Sequence, residues 1–171
     1  MFCVSRRRII DIFGKEEDMS LEELKRRLQI LEDIEAIRKL KARYSQVLDG
    51  FSKENVETLF TEDGVWDLDQ RGRYIGRQAI KEFSKKLHEA LPFCVHYFVQ
   101  PTIVVEGQRA KGRWYMWVPC TKGDGEALWS AGLEDDEYEK VNGEWLISKL
   151  KLTSIFRTPY EEGWHKKRQV L

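Results

Sequence analysis

The hydrophobic period of this chain changes once, at Pro92, and that change limits its architecture more than any other feature. Before it, apolar residues recur every three or four positions, the spacing of a buried helix face. Leu28, Leu31, Ile34, Ile37, Leu40, Tyr44 and Val47 make one stripe; Ala79, Ile80, Phe83, Leu87 and Leu91 make another. After Pro92 the period falls to two. Cys94, His96 and Phe98 share one face of a strand, while Val95, Tyr97 and Val99 share the other. Further strands read at Thr102–Val105, Trp114–Val118, Leu128–Val141 and Glu144–Phe156, with Asn142-Gly143 as a type I′ turn between the last two. Helices first and antiparallel strands after predict an α+β domain with its helices on one side of the sheet.

The first stripe predicts a helix over 21–48, opened by a capping box at Ser20-Leu-Glu-Glu23 and bent near Glu32–Asp33. Ser52 is placed to cap a short helix carrying Val56, Leu59 and Phe60. Thr61–Gly64 reads as a turn into a strand, Val65–Leu68, which returns through Asp69–Gly72 as a hairpin. No repeat or internal linker divides the chain. The expected organisation is a poorly ordered extension over residues 1–19, one domain over 20–165 and a basic tail over 166–171.

Charge excludes several classes of partner. Lys+Arg and Asp+Glu both number 29, so nothing favours nucleic acid or an anionic membrane surface. No stretch approaches the roughly 20 apolar residues of a membrane helix. Cys3, Cys94 and Cys120 are an odd set without CxxC spacing, which points to a reducing cytoplasm. Neither GxGxxG nor GxxxxGK[ST] is present, so nucleotide cofactors lack their usual phosphate cradle, and there is no GxSxG elbow. His88, His96 and His165 show no HxH or HxxxH spacing, so no metal site is expected. The expectation is chemistry without a cofactor.

Asp49 is the residue that asks for an explanation. It stands before Gly50, a usual helix C-terminal residue, where the helix dipole disfavours a carboxylate. Either a partner elsewhere favours it, or it is an exposed loop residue. In the same way His96 reads as a base or as a core histidine, and Tyr44 as a hydrogen-bond donor or as core packing.

The segments LKARYSQVLDGFSKENVETLFTEDGVWDL, GRQAIKEFSKKL, VHYFVQPTIVVEG and EKVNGEWLISKL, in this order, resemble the SnoaL-like branch of the NTF2-like superfamily over about residues 30–164. The resemblance implies a cone, a curved antiparallel sheet around a pocket closed by the N-terminal helices. In the lyase members, such as scytalone dehydratase, bile-acid 7α-dehydratase and hexachlorocyclohexane dehydrochlorinase, a Tyr-x4-Asp and a strand His meet in that pocket. Tyr44, Asp49 and His96 match them here. By this resemblance His96 is the base, Asp49 orients it and Tyr44 donates to a substrate oxygen; Trp66, Phe98, Trp117, Trp129 and Arg157 are pocket candidates. One departure stands out: the acid or second histidine expected on the following strand is missing from Trp117–Cys120.

The expected function is a cofactor-independent lyase of the dehydratase type, acting on a small hydrophobic cyclic or polyketide-like molecule. The alternatives are a non-catalytic ligand-binding or assembly-subunit cone, and a cone-fold isomerase or cyclase. Trp114, Trp117, Trp129 and Trp145 give the sheet more aromatic surface than one concave face hides, so a homodimer or homotrimer is expected.

Overall fold

The computed structural model describes residues 20–168. Expectations for residues 1–19, and for the last three residues of the basic tail, lie outside this range. The elements are α1 (Leu21–Leu48), β1 (Phe60–Asp67), β2 (Arg73–Ile75), α2 (Arg77–Ala90), β3 (Phe93–Cys94), β4 (Tyr97–Glu106), β5 (Arg109–Thr121), β6 (Ala127–Val141), β7 (Glu144–Pro159) and α3 (Gly163–Lys166). Short 3₁₀ turns occupy Val56–Leu59 and Asp69–Arg71. The strands form one curled sheet in the order β2-β1-β7-β6-β5, and β3 and β4 follow one another along β5. Every pairing is antiparallel except β1 with β7, which is parallel.

Alternation along the long strands decides what faces α1. Trp114, Met116, Val118 and Cys120 of β5 point inward, as do Glu134, Asp136 and Tyr138 of β6. They meet Ile37, Leu40, Tyr44, Val47 and Leu48 on the buried face of α1. The β6–β7 turn places Asn142 at φ 52° and Gly143 at φ 87°, both left-handed, as a type I′ turn requires.

Several local expectations are corrected. The α1 helix runs unbroken through Glu32–Asp33. Only half of the capping box forms: Ser20 accepts from the Glu23 N–H, while the Glu23 carboxylate binds Arg26 and Arg27 instead. The buried stripe starts later than the spacing suggested, since Leu28 and Leu31 are 54% and 63% exposed. Asp33 is the first buried residue, bonded to Lys140 Nζ at 2.7 Å and Trp145 Nε1 at 2.9 Å. β1 begins at Phe60 and absorbs the turn read at Thr61–Gly64.

Candidate active site

The helix end that carries Asp49 is built by Gly50. With Gly50 at φ 75°, the Phe51 N–H reaches the Gln46 carbonyl at 2.9 Å and the Gly50 N–H reaches Val47 at 3.2 Å. This is a Schellman closure, and it needs a left-handed residue that glycine fills without strain. The closure turns the Asp49 side chain away from solvent, to 5% exposure.

The chain supplies the partner at His96. Here the strand reading is corrected, because residues 95 and 96 are a break between β3 and β4. Val95 still donates to the Pro119 carbonyl, but the His96 N–H leaves the sheet and bonds both Asp49 oxygens at 3.0 Å. The ring follows, with Nδ1 at 2.6 Å from Asp49 Oδ1. Three contacts on one carboxylate account for an aspartate at the negative end of a helix. They also hold Nδ1 toward Asp49, so Nε2 is the ring nitrogen left for a substrate. The Phe98 ring backs the imidazole at 6.0 Å, nearly parallel.

His96 and Tyr44 line one small, partly enclosed cavity of about 40 Å³ between α1, α2 and the inner face of the sheet. Trp66 and Arg157 line it too. Burial, reinforced by Glu134 and Asp136, pushes the Tyr44 phenol far up, so this hydroxyl is a donor rather than a base. Trp66 meets Tyr44 edge to face at 6.1 Å. Phe98 packs behind the site rather than lining the cavity.

Two pocket expectations are corrected. Trp117 and Trp129 sit on the outer face, because they alternate with inward Met116, Val118 and Leu128. There they pack against each other in a tilted pair at 5.3 Å, with Tyr160 and Trp164 of the C-terminal segment against them. Trp114 and Trp145, by contrast, are not on the outer face, where the aromatic count had placed them; both are buried inside.

The sequence reading missed a buried charge cluster. Lys41 is 1% exposed and bonds Glu134, and Asp136 Oδ2 at 2.7 Å. Tyr138 donates to the same Asp136 oxygen at 2.7 Å, and Trp114 donates to Tyr138 at 3.0 Å. Burial opposes the Lys41 charge, but the two carboxylates outweigh it and its pKa rises. Burial raises Glu134, with Lys41 pulling the other way and Asp136 adding to the rise. Glu134 lines the cavity from β6. Lys41 occupies a stripe position, and a lysine at that spacing was the available signal that acids face it.

Asp49, Cys94 and His96 hold ligand atoms within 4.8 Å of one another, the geometry of a possible metal set. Cys94 argues against that use. Its thiol donates to the Leu48 carbonyl at 3.4 Å, and burial, followed by the Asp49 charge, pushes its pKa up to about 12. A metal there would also have to take Nδ1 from Asp49. Larger open grooves on the outer sheet face, of about 410–420 Å³, contain none of the three candidate residues.

A cone of curled sheet closed by a long helix, with an Asp–His pair inside, defines the class. The profile of the SnoaL-like domain matches residues 29–151, and the chain belongs to that family. Its fold is similar to hexachlorocyclohexane dehydrochlorinase LinA-type3 from Novosphingobium barchaimii LL02, at 19% identity and TM-score 0.70, over 75% of this chain and 90% of that one. It is also similar to a candidate scytalone dehydratase from Novosphingobium aromaticivorans DSM 12444, at 23% identity and TM-score 0.70, over 76% and 89%. An NTF2-like protein with a cystatin-like fold, also from N. aromaticivorans, aligns at 25% identity and TM-score 0.67, over 80% and 90%.

Proposed function

We propose that the protein is a cofactor-independent lyase that eliminates water, or a comparable leaving group, from a small cyclic or polyketide-like substrate. The observation that carries this reading is the 2.6 Å contact from His96 Nδ1 to Asp49, with His96 lining the cavity. His96 Nε2 takes the proton from the carbon next to an activating carbonyl. Asp49 holds the tautomer and stabilises the imidazolium formed, without itself taking the proton. Tyr44 donates a hydrogen bond to the oxygen that gains charge or departs, and as the C–O bond breaks and the C=C bond forms the imidazolium returns its proton to the leaving hydroxide, which departs as water. Base catalysis of this kind supplies about 10²–10⁴-fold, and the fixed donors of the cavity supply the remainder.

One observation favours a non-catalytic cone. The cavity of about 40 Å³ is far smaller than the roughly 300–1,000 Å³ usual for ligand sites. Turnover of a ring-sized substrate therefore requires α2, near Leu87 and Leu91, or the Asp69–Arg71 turn to move outward. A screen of β-hydroxy ketones and hydroxylated ring compounds for water loss, with EDTA present, separates the readings. Turnover that survives EDTA and disappears in His96→Gln supports the lyase; full activity in that variant rejects His96 as the base. The free thiols Cys94 and Cys120 support a cytoplasmic setting.

A further inference from the structure

The cavity holds two guanidinium-bearing side chains that the elimination does not use, Arg71 and Arg157. Among the described residues, neither makes a salt bridge, and Arg157 Nε is buried with no hydrogen-bond partner. Among the described residues, Glu134 is the one acidic residue lining the cavity, and its carboxylate is committed to Lys41. The neighbours offered to Arg157 are weak ones, such as the Cys120 thiol. Arg71 is an exposed residue whose guanidinium reaches the cavity, where burial first and Arg157 second push its pKa down. Two like charges at one small cavity repel each other, and an anion between them relieves that repulsion.

The position of Arg71 is built rather than incidental. Asp69 at φ 58° and Gly72 at φ 111° close a tight turn, pinned by the Leu68 N–H on the Gly72 carbonyl at 2.9 Å. Tyr74 then donates to the Arg71 carbonyl at 2.9 Å. A side chain on Gly72 would meet that Tyr74 hydroxyl at 2.9 Å. These bonds set the turn so that Arg71 stands beside the cavity.

We propose that Arg71 and Arg157 together bind a carboxylate on the substrate, which places the His96 reaction on a hydroxy acid or related carboxylated compound rather than on a neutral ring. This rests on the lyase reading for the reaction, but not for the anion site. The planar fork of a guanidinium matches a carboxylate through paired N–H bonds. The cavity volume admits about three water-sized groups, which is the size of a carboxylate. The group to be eliminated would then extend toward His96.

The test is calorimetric titration and thermal shift with benzoate, using benzamide as the neutral isostere and sulfate as the non-planar anion. Wild-type protein should bind benzoate at least about tenfold more tightly than benzamide or sulfate. Arg71→Gln and Arg157→Gln should each remove about tenfold or more of that affinity. His96→Gln should retain benzoate binding, so the anion site stands or falls separately from the base. Arg157→Lys, which keeps the charge, controls for misfolding and should recover part of the binding. Equal binding of benzoate and benzamide, equal binding of sulfate, or benzoate affinity unchanged in both glutamine variants overturns the proposal.

Discussion

Asp49 and His96, 47 positions apart, are joined by backbone and side chain together: one carboxylate accepts the His96 N–H and its ring Nδ1. The backbone bonds fix where His96 stands against Asp49, and the ring bond fixes which nitrogen faces the carboxylate. This is the pre-organisation a base needs before substrate arrives.

The first prediction concerns that pair. With a substrate in hand, His96→Gln should lose about 10²–10⁴-fold in kcat, because glutamine keeps reach but has no basic nitrogen. Asp49→Asn should also lose turnover, and the double variant should fall well short of the product of the two losses. Additive losses in a double-mutant cycle would show that the two residues act independently.

A second prediction follows from the buried cluster. Lys41→Met leaves Glu134 and Asp136 without their cation and should cost about 3–5 kcal/mol in denaturant unfolding. Burial already holds the Glu134 carboxyl above its usual value, and losing the ammonium removes the charge that opposed that rise. Its protonated form then fits the fold, so stability is fully present below the unfolded pKa and lost as pH rises through the folded one. The variant should be closer to wild type at about pH 5 than at about pH 8. A pH-independent deficit would mean that cavity formation, and not charge, sets the loss.

Cys94 reports on Asp49 without any substrate. With its thiol pushed up to about 12, Cys94 should resist iodoacetamide at about pH 8, read by peptide mass spectrometry. Burial is the larger cause and the Asp49 charge the second, so Asp49→Asn should speed the reaction. Rapid alkylation of Cys94 in the wild type would contradict the packing at the helix end.

Assembly is expected from a narrower surface than the sequence suggested. Tyr97, Val99 and Tyr115 are 53%, 45% and 49% exposed on paired outer positions of β4 and β5. A homodimer or homotrimer that covers them should appear in light scattering at micromolar concentration. Tyr115→Glu should shift it toward monomer; a wild-type monomer would contradict the expectation.

The order of elements was readable because it rests on two periods and a few punctuating residues, Pro92, Gly50 and Asn142-Gly143 among them. The face each strand residue takes was less so. Trp117 and Trp129 looked like pocket walls because the sequence shows aromaticity but not which side of the sheet it occupies. In the run Glu134–Glu139 acids and Tyr138 stand side by side, and only the register with β5 shows that Glu134 and Asp136 go inside. Arg71 was hidden for a related reason. Its place depends on how a turn folds back over the cavity, and local spacing does not encode that.

The most direct test of the dyad needs no substrate. Nitrogen-15 NMR of histidine-labelled protein, with His96 assigned by its loss in His96→Gln, reads which ring nitrogen carries the proton when the ring is neutral. The expected result is a neutral ring protonated at Nδ1, bonded to Asp49, with a bare Nε2 directed to the cavity. A neutral ring protonated at Nε2 would leave no basic nitrogen for a substrate and would contradict His96 as the base.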